Sequence, residues 1–180
     1  MQIVLAPIFL KTRGDCDRTT SLRGLERTDF FTREIDEMVL DGRADLGLHA
    51  AKDLPEPLAE GLICALLTEG VDARDALVFR RELQLGATVA TSSERREAAV
   101  KRWRPDLRVV DIRGNVDERL AQLDQGLVDG LVVAEAALIR LGQTGRPRIY
   151  LEGDVAVNQG RLAAVIRRAD MQLLKRLQRP

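Results

Sequence analysis

Aromatic side chains are scarce: one Trp, one Tyr and four Phe make up 3% of 180 residues. That excludes the stacking platforms on which single-stranded nucleic acids are held. Histidine occurs once, at His49, inside an apolar run with no partner motif, which leaves no basis for a histidine-centred catalytic dyad. The two cysteines, Cys16 and Cys64, have no CxxC or other metal-like spacing, so no metal site is predicted. Isolated cysteines suit reduced thiols in the cytoplasm, or at most a single bridge. Long hydrophobic runs are missing too. The apolar stretch Ile3–Leu10 is too short to cross a bilayer and lacks the basic flank and cleavage site of a signal peptide, so it is expected to be a buried strand. Formal net charge is zero, which leaves no global field to draw the chain to nucleic acid or membrane. The glycines form neither a phosphate loop nor a dinucleotide fingerprint. Lysine is rare as well: beyond Lys11, Lys52, Lys101 and Lys175, every basic residue is an arginine.

What is present is a set of three polar segments. The first, His49-Ala50-Ala51-Lys52-Asp53-Leu54-Pro55, puts an ammonium beside a carboxylate after an apolar strand. The others, Thr91-Ser92-Ser93-Glu94-Arg95-Arg96 and Asp111-Ile112-Arg113-Gly114-Asn115 running on to Arg119, put hydroxyls and guanidiniums where strands turn into helices. Such turns hold anions, because free backbone N–H groups and the helix dipole face the ligand. One acid among several anion anchors points to a small molecule carrying several carboxylates.

The hydrophobic rhythm places these segments. Strands are expected at Asp45–His49, Leu62–Leu67, Ala76–Phe79 and Leu162–Ile166, and helices over Phe30–Leu40 and Met171–Leu177. Lys11 to Arg27 reads as loop. From Ala87 the pattern alternates: strand Thr88–Thr91, helix from Glu94 to about Trp103, strand Arg108–Ile112, helix Val116–Gln125, strand Asp129–Ala134, then a helix to Leu141. This is a parallel α/β pattern, whose ligands bind beyond the carboxyl ends of the strands. Arg80–Gln84 is expected to be the crossover between two lobes.

Each candidate has a plainer explanation beside it. Asp53 could be a turn residue before Pro55, or a carboxylate working in a cleft. Lys52 could be solvated, but its rarity favours the site. Ser92 and Ser93 look like helix caps. Arg95 and Arg96 lie in a first helical turn, where positive charge opposes the dipole and a bound anion would offset the cost. Arg113 and Arg119 bracket a helix start capped by Asn115, and Arg140 near a helix C-terminus is favourable through the dipole alone.

These residues lie within motifs that resemble the porphobilinogen deaminase (hydroxymethylbilane synthase) family of tetrapyrrole and haem biosynthesis. The motifs include KTRGD, FFTREIDEMVLDGRADLGLHAAKDLPEPLAEGL, DARDALV, GATVATSSERREA, RPDLRVVDIRGNVDERLAQLDQG, AALIRLG and VNQGRLA, in that order. The resemblance implies a transferase that condenses four porphobilinogen molecules head to tail with release of ammonia. It implies two lobes of the type II periplasmic-binding-protein kind plus a third domain, and a dipyrromethane cofactor on a third-domain cysteine. It makes Asp53 the catalytic acid, holding pyrrole N–H groups and stabilising the cation formed as ammonia leaves. Lys52, Ser93, Arg95, Arg96, Arg113, Arg119 and Arg140 become ligands of substrate and cofactor carboxylates.

Against the family pattern the chain is expected to be truncated at both ends. The opening strand–helix unit with its Arg-x-Ser segment has no counterpart. The third domain is expected to be absent, and no cysteine follows Cys64 in this sequence, so no covalent cofactor is expected. Arg27-Thr28-Asp29 replaces a glycine–lysine–glycine, and Asn158 and Arg161 replace small residues around Gln159-Gly160. The expected lobes are 1–79 plus 158–180 and 83–155. Expected partners are porphobilinogen, no nucleic acid, no membrane, and a further polypeptide if the missing segments come from elsewhere. A non-catalytic polycarboxylate-binding protein and a fragment of a split enzyme are the alternatives.

Overall fold

In the computed structural model, which describes residues 5–17, 20 and 28–178, the strands sort into two sheets. A three-stranded antiparallel sheet has β1 (Leu46–Ala50) and β2 (Leu62–Leu67) on either side of β8 (Leu162–Arg167). A five-stranded sheet has the order β5-β4-β6-β3-β7. It comprises β3 (Asp75–Phe79), β4 (Thr88–Ala90), β5 (Arg108–Val110), β6 (Gly130–Ala134) and β7 (Arg148–Leu151). β4 runs parallel to β5 and β6, as the alternating pattern predicts, whereas β3 is antiparallel to both β6 and β7.

This order corrects the expected lobe boundary. The expected lobe 1–79 includes β3, but β3 lies in the five-stranded sheet. Its residues Asp75 to Val78 are all buried, and an apolar run shielded on both faces suits an inner strand. The chain therefore crosses between lobes at 68–74 and 152–161, not at Arg80–Gln84. Arg80 instead donates to the Asp124 carbonyl within the second lobe.

The strand expected in Ile3–Leu10 is also corrected over its described part. Residues 5–10 form no strand, and Leu5, Ile8 and Phe9 are exposed. Pro7 in the middle of this run cannot donate to a ladder. Of the expected loop 11–27, Arg13–Cys16 forms a four-residue helical turn, α1, closed by a Thr12/Asp15 capping box; residues 18–19 and 21–27 lie outside the described residues. The helix expected over Phe30–Leu40 divides into a 3-10 turn at Asp29–Phe31 and α2 at Arg33–Leu40.

Three helices follow strands of the second lobe: α3 (Glu94–Trp103), α4 (Val116–Asp124) and α5 (Glu135–Arg140). Asn115 caps α4 through a reciprocal box with Glu118, as its position predicts. The terminal helix α6 spans Met171–Leu177. The second lobe has a core on each face of its sheet. Val78, Leu131 and Leu138 pack with α4 residues Leu120 and Leu123 on one face. Leu77, Val89 and Val132 pack with Val100 and Leu107 on the other. The first lobe has a smaller core around Val39, Leu62 and Val165. Arg167 stitches its loops by donating to the carbonyls of Val39 (2.6 Å) and Ala44 (2.8 Å).

His49 is buried on β1, with Nε2 3.3 Å from Asp36 Oδ1 on α2. The pair falls short of hydrogen-bond geometry, and neither residue lines the cleft. It is a buried polar contact between strand and helix.

Candidate active site

The carboxyl ends of β4, β5 and β6 face the turn after β1, and a cavity of about 580 Å³ opens between them. That volume falls in the usual range of small-molecule sites, roughly 300–1,000 Å³. Lys52 and Asp53 reach it from the short 3-10 turn Ala51–Asp53 that ends β1. Ser93, Arg95 and Arg96 reach it from the start of α3, and Arg113 and Arg119 from the β5–α4 connection and α4. Asp53 and five cations from four separate segments thus line one cavity, which Asp15 of α1 also borders. Arg140 does not: it is absent from the lining, and its Nη2 donates to the Gly160 carbonyl at 2.6 Å, bracing the second crossing between the lobes.

The serines behave differently from the capping expectation. Ser93 occupies the N-cap position of α3, but its side chain makes no capping bond. Ser92 is buried and turns to Ile112, donating to its carbonyl and accepting from its N–H at 3.2 Å. The neighbouring strand's end competes successfully for the Ser92 hydroxyl, and Ser93 remains at the cavity.

The two adjacent arginines have a compensating acid that the sequence analysis did not single out. Asp75, at the start of β3, accepts from Arg95 Nη1 at 2.5 Å and from Arg96 Nε at 2.9 Å. Its side chain is only 4% exposed. Burial pushes its carboxyl up, but Arg96, Arg95 and Gln159 outweigh that and hold it below the ordinary carboxylate value. The signal was present in the DARDALV motif, where an acid opens an otherwise apolar strand.

Arg113 also lines the cavity. It donates to the carbonyls of Gly14 (3.5 Å) and Asp17, and so ties the first-lobe segment around α1 to the second lobe. Its Nε is buried without a partner among the described residues, which leaves a donor available to an anion. Arg119 Nε donates to Gly114 O at 2.6 Å. Desolvation first, then the charges of Arg96 and Arg113, push the Arg119 guanidinium down to about 10. Lys52 is lowered as well, by burial and then by Arg96, against the opposing pull of Asp53 and Asp75. Crowded, desolvated cations of this kind are the electrostatic complement of a polyanion.

A pH dependence follows. Because the folded Lys52 value lies below the unfolded one, the unfolded chain binds more protons between the two, and stability rises with pH through that window. A carboxylate arriving beside Lys52 reverses the shift. Its binding is expected to take up protons increasingly as pH approaches the ordinary lysine value, and Lys52→Met should remove most of that uptake. Calorimetry in two buffers of different ionisation enthalpy reads it directly; identical heats in both buffers throughout the alkaline range would count against the effect.

Among the described residues no cluster of His, Cys, Asp and Glu could hold a metal, and no helix is long and apolar enough to cross a membrane. Cys16 and Cys64 are free and exposed, and neither lines the cavity.

Two α/β lobes joined by two crossings, with a cation-lined cleft between them, define a two-lobed cleft fold. A solved ancestral cationic amino-acid solute-binding protein shares this architecture, with a TM-score of 0.51 at 14% identity over 81% of this chain and 66% of that one. Residues 2–175 match the family described as porphobilinogen deaminase, dipyromethane cofactor binding domain. The chain is 41% identical over 172 residues to a porphobilinogen deaminase of Rubrobacter xylanophilus, covering 91% of this chain and 56% of the relative. It is 39% identical over 183 residues to one of Roseiflexus, covering 97% and 60%. The chain belongs to the porphobilinogen deaminase family, and it spans a little over half the length of these curated relatives.

Proposed function

We propose that this chain provides the catalytic cleft of a hydroxymethylbilane synthase, a transferase that joins porphobilinogen units with loss of ammonia. The observation that carries the proposal is the convergence of Asp53 with Lys52, Arg95, Arg96, Arg113 and Arg119 on one cavity. Porphobilinogen carries an acetate, a propionate and an aminomethyl group on a pyrrole. The cations anchor the carboxylates through charge-assisted hydrogen bonds, and Ser93 adds a neutral donor. Asp53 then faces the pyrrole N–H. As ammonia departs, positive charge spreads over the ring and the carboxylate stabilises it. The coupling carbon–carbon bond forms at that electrophilic carbon, and the attacking pyrrole gives up a proton as it regains aromaticity.

The donor set also suits a dipyrromethane, whose acetate and propionate groups Lys52, Arg95, Arg96, Arg113 and Arg119 would hold; when bound, that group supplies the pyrrole on which the product chain grows. Neither Cys16 nor Cys64 lines the cavity, and on this reading neither carries the cofactor. The purified chain is expected to have the mass of the bare polypeptide. A dipyrromethane adduct mapped to either cysteine would overturn this.

Titration calorimetry with porphobilinogen tests the binding role. Arg96→Ala should weaken binding about tenfold or more, the loss expected of one charge-assisted pair at about 1.5–3 kcal/mol. Equal affinity in the wild type and in the Arg95→Ala and Arg96→Ala variants would make these arginines structural only. Binding without ammonia release, in an assembly that includes the segments found in full-length relatives, would reduce the chain to a polycarboxylate-binding protein.

A further inference from the structure

The arginine pair at the start of α3 is held from behind. Asp75 Oδ2 accepts from Arg95 Nη1 and Asp75 Oδ1 from Arg96 Nε, with Arg96 Nη2 also 2.9 Å from that oxygen. Gln159 closes the arrangement. Its Nε2 donates to Asp75 Oδ1 at 2.9 Å and to Ala73 O at 2.6 Å, while its Oε1 accepts from Arg96 Nη2 at 3.3 Å. Arg95 Nη1 makes a second bond, to Asp154 O at 2.5 Å. Asp75 and Ala73 belong to the first crossing and its following strand; Asp154 and Gln159 belong to the second. Asp75 and Gln159 are both buried, as is Arg96.

We propose that Asp75 is the positioning residue of the anion site: it fixes the planes of the Arg95 and Arg96 guanidiniums and, with Gln159, pins them to both crossings between the lobes. The inference rests on the reading of this cavity as a carboxylate site. Two adjacent guanidiniums on a helix would otherwise repel each other and turn freely. A buried carboxylate that binds Nη1 of one and Nε of the other leaves each with one edge facing the cavity. The three groups together keep one positive charge, so the pair suits one carboxylate in a set orientation rather than any small anion. Asparagine in place of Asp75 offers one acceptor and one N–H₂, and the N–H₂ meets a guanidinium donor.

The consequence separates geometry from charge. Asp75→Asn raises the positive charge of the site but releases its orientation. Porphobilinogen, which needs several groups aligned, should bind at least tenfold more weakly. Inorganic phosphate, which needs only charge, should bind as well as in the wild type or better. Asp75→Glu, which restores the charge, should recover part of the porphobilinogen affinity. A readout without ligand is the ¹⁵N-resolved Nε–H resonance of Arg96, assigned through Arg96→Lys. It should be protected from exchange in the wild type, and exposed and shifted in Asp75→Asn.

A folded Asp75→Asn variant with porphobilinogen affinity within twofold of wild type overturns the proposal. So does equal loss of porphobilinogen and phosphate, which marks collapse of the site, and so does an unchanged Arg96 resonance. If Asp75→Asn does not fold, Gln159→Met is decisive: about threefold weaker porphobilinogen binding with phosphate unaffected supports the proposal, and no change overturns it. A wild-type chain that binds phosphate but not porphobilinogen refutes the substrate assignment, and the Arg96 resonance still decides the role of Asp75.

Discussion

Asp53→Asn is expected to lower ammonia release by roughly 100-fold or more, the scale on which removing one preorganised electrostatic stabiliser acts. The fair setting is a chimera in which this chain replaces the matching part of the Rubrobacter relative, with single-turnover release of ammonia as the measurement. Asparagine is nearly isosteric and keeps a carbonyl acceptor for a pyrrole N–H, so the ground-state pose survives. What goes is the negative charge, and it matters most when the ring becomes cationic. Lys52, Arg95 and Arg96 are untouched, and removing an acid from among them does not weaken an anion's binding. Affinity for porphobilinogen should therefore stay within about threefold, because only a neutral-for-charged acceptor exchange is involved. Turnover close to wild type would remove Asp53 from the chemistry. A parallel loss of binding would make it an anchor instead.

The second large effect is structural. Gly160→Ala is expected to cost about 2–3 kcal/mol, the upper part of the range for a strained backbone position. Gly160 has φ +89°, a region where a β-carbon is strained, and a β-carbon built there comes within 2.7 Å of Val71 O. The obstacle is backbone of the other crossing, which is itself bonded from Val71 N–H to Gly160 O at 3.1 Å, so it cannot simply swing aside. For a chain of this size the loss corresponds to a fall in Tm of roughly 5–10 °C. A melting temperature within 2 °C of wild type would mean that the two crossings slide freely. Porphobilinogen affinity measured on the same variant would tell whether their spacing matters to the cleft.

The second lobe was legible because its signals are local. Val116–Asp124 begins at the Asn115 cap, Pro105 and Gly126 follow the ends of Glu94–Trp103 and Val116–Asp124, and the strands before both helices are short apolar runs. The gathering of Arg95 and Arg96 at the cleft was legible for the same reason: charge placed against a helix dipole is visible within a few residues. The partition into lobes was not legible, because whether β3 joins one sheet or the other depends on pairing with β6 and β7, more than fifty residues away in sequence. Asp75 was missed on the same grounds. An acid that opens a strand looks like a turn residue until the fold brings Arg95, Arg96 and Gln159 to it. Arg140 stands apart from the other anchors that its motif grouped it with: it donates to Gly160 O and is not among the residues lining the cavity.

The arginines of this chain repeatedly serve as fasteners for backbone carbonyls. Arg167 joins Val39 to Ala44, Arg113 joins Gly14 to Asp17, and Arg119 and Arg140 hold Gly114 and Gly160. A planar guanidinium can serve two acceptors set apart in one plane; an ammonium is a compact point donor on a flexible stem. Whatever coding preference filled the chain with arginine, the fold has since made the choice hard to reverse. Mutational drift from arginine to lysine, conservative in charge, would here unfasten loops one at a time, so a bias in composition has become a constraint on the sequences this architecture can reach.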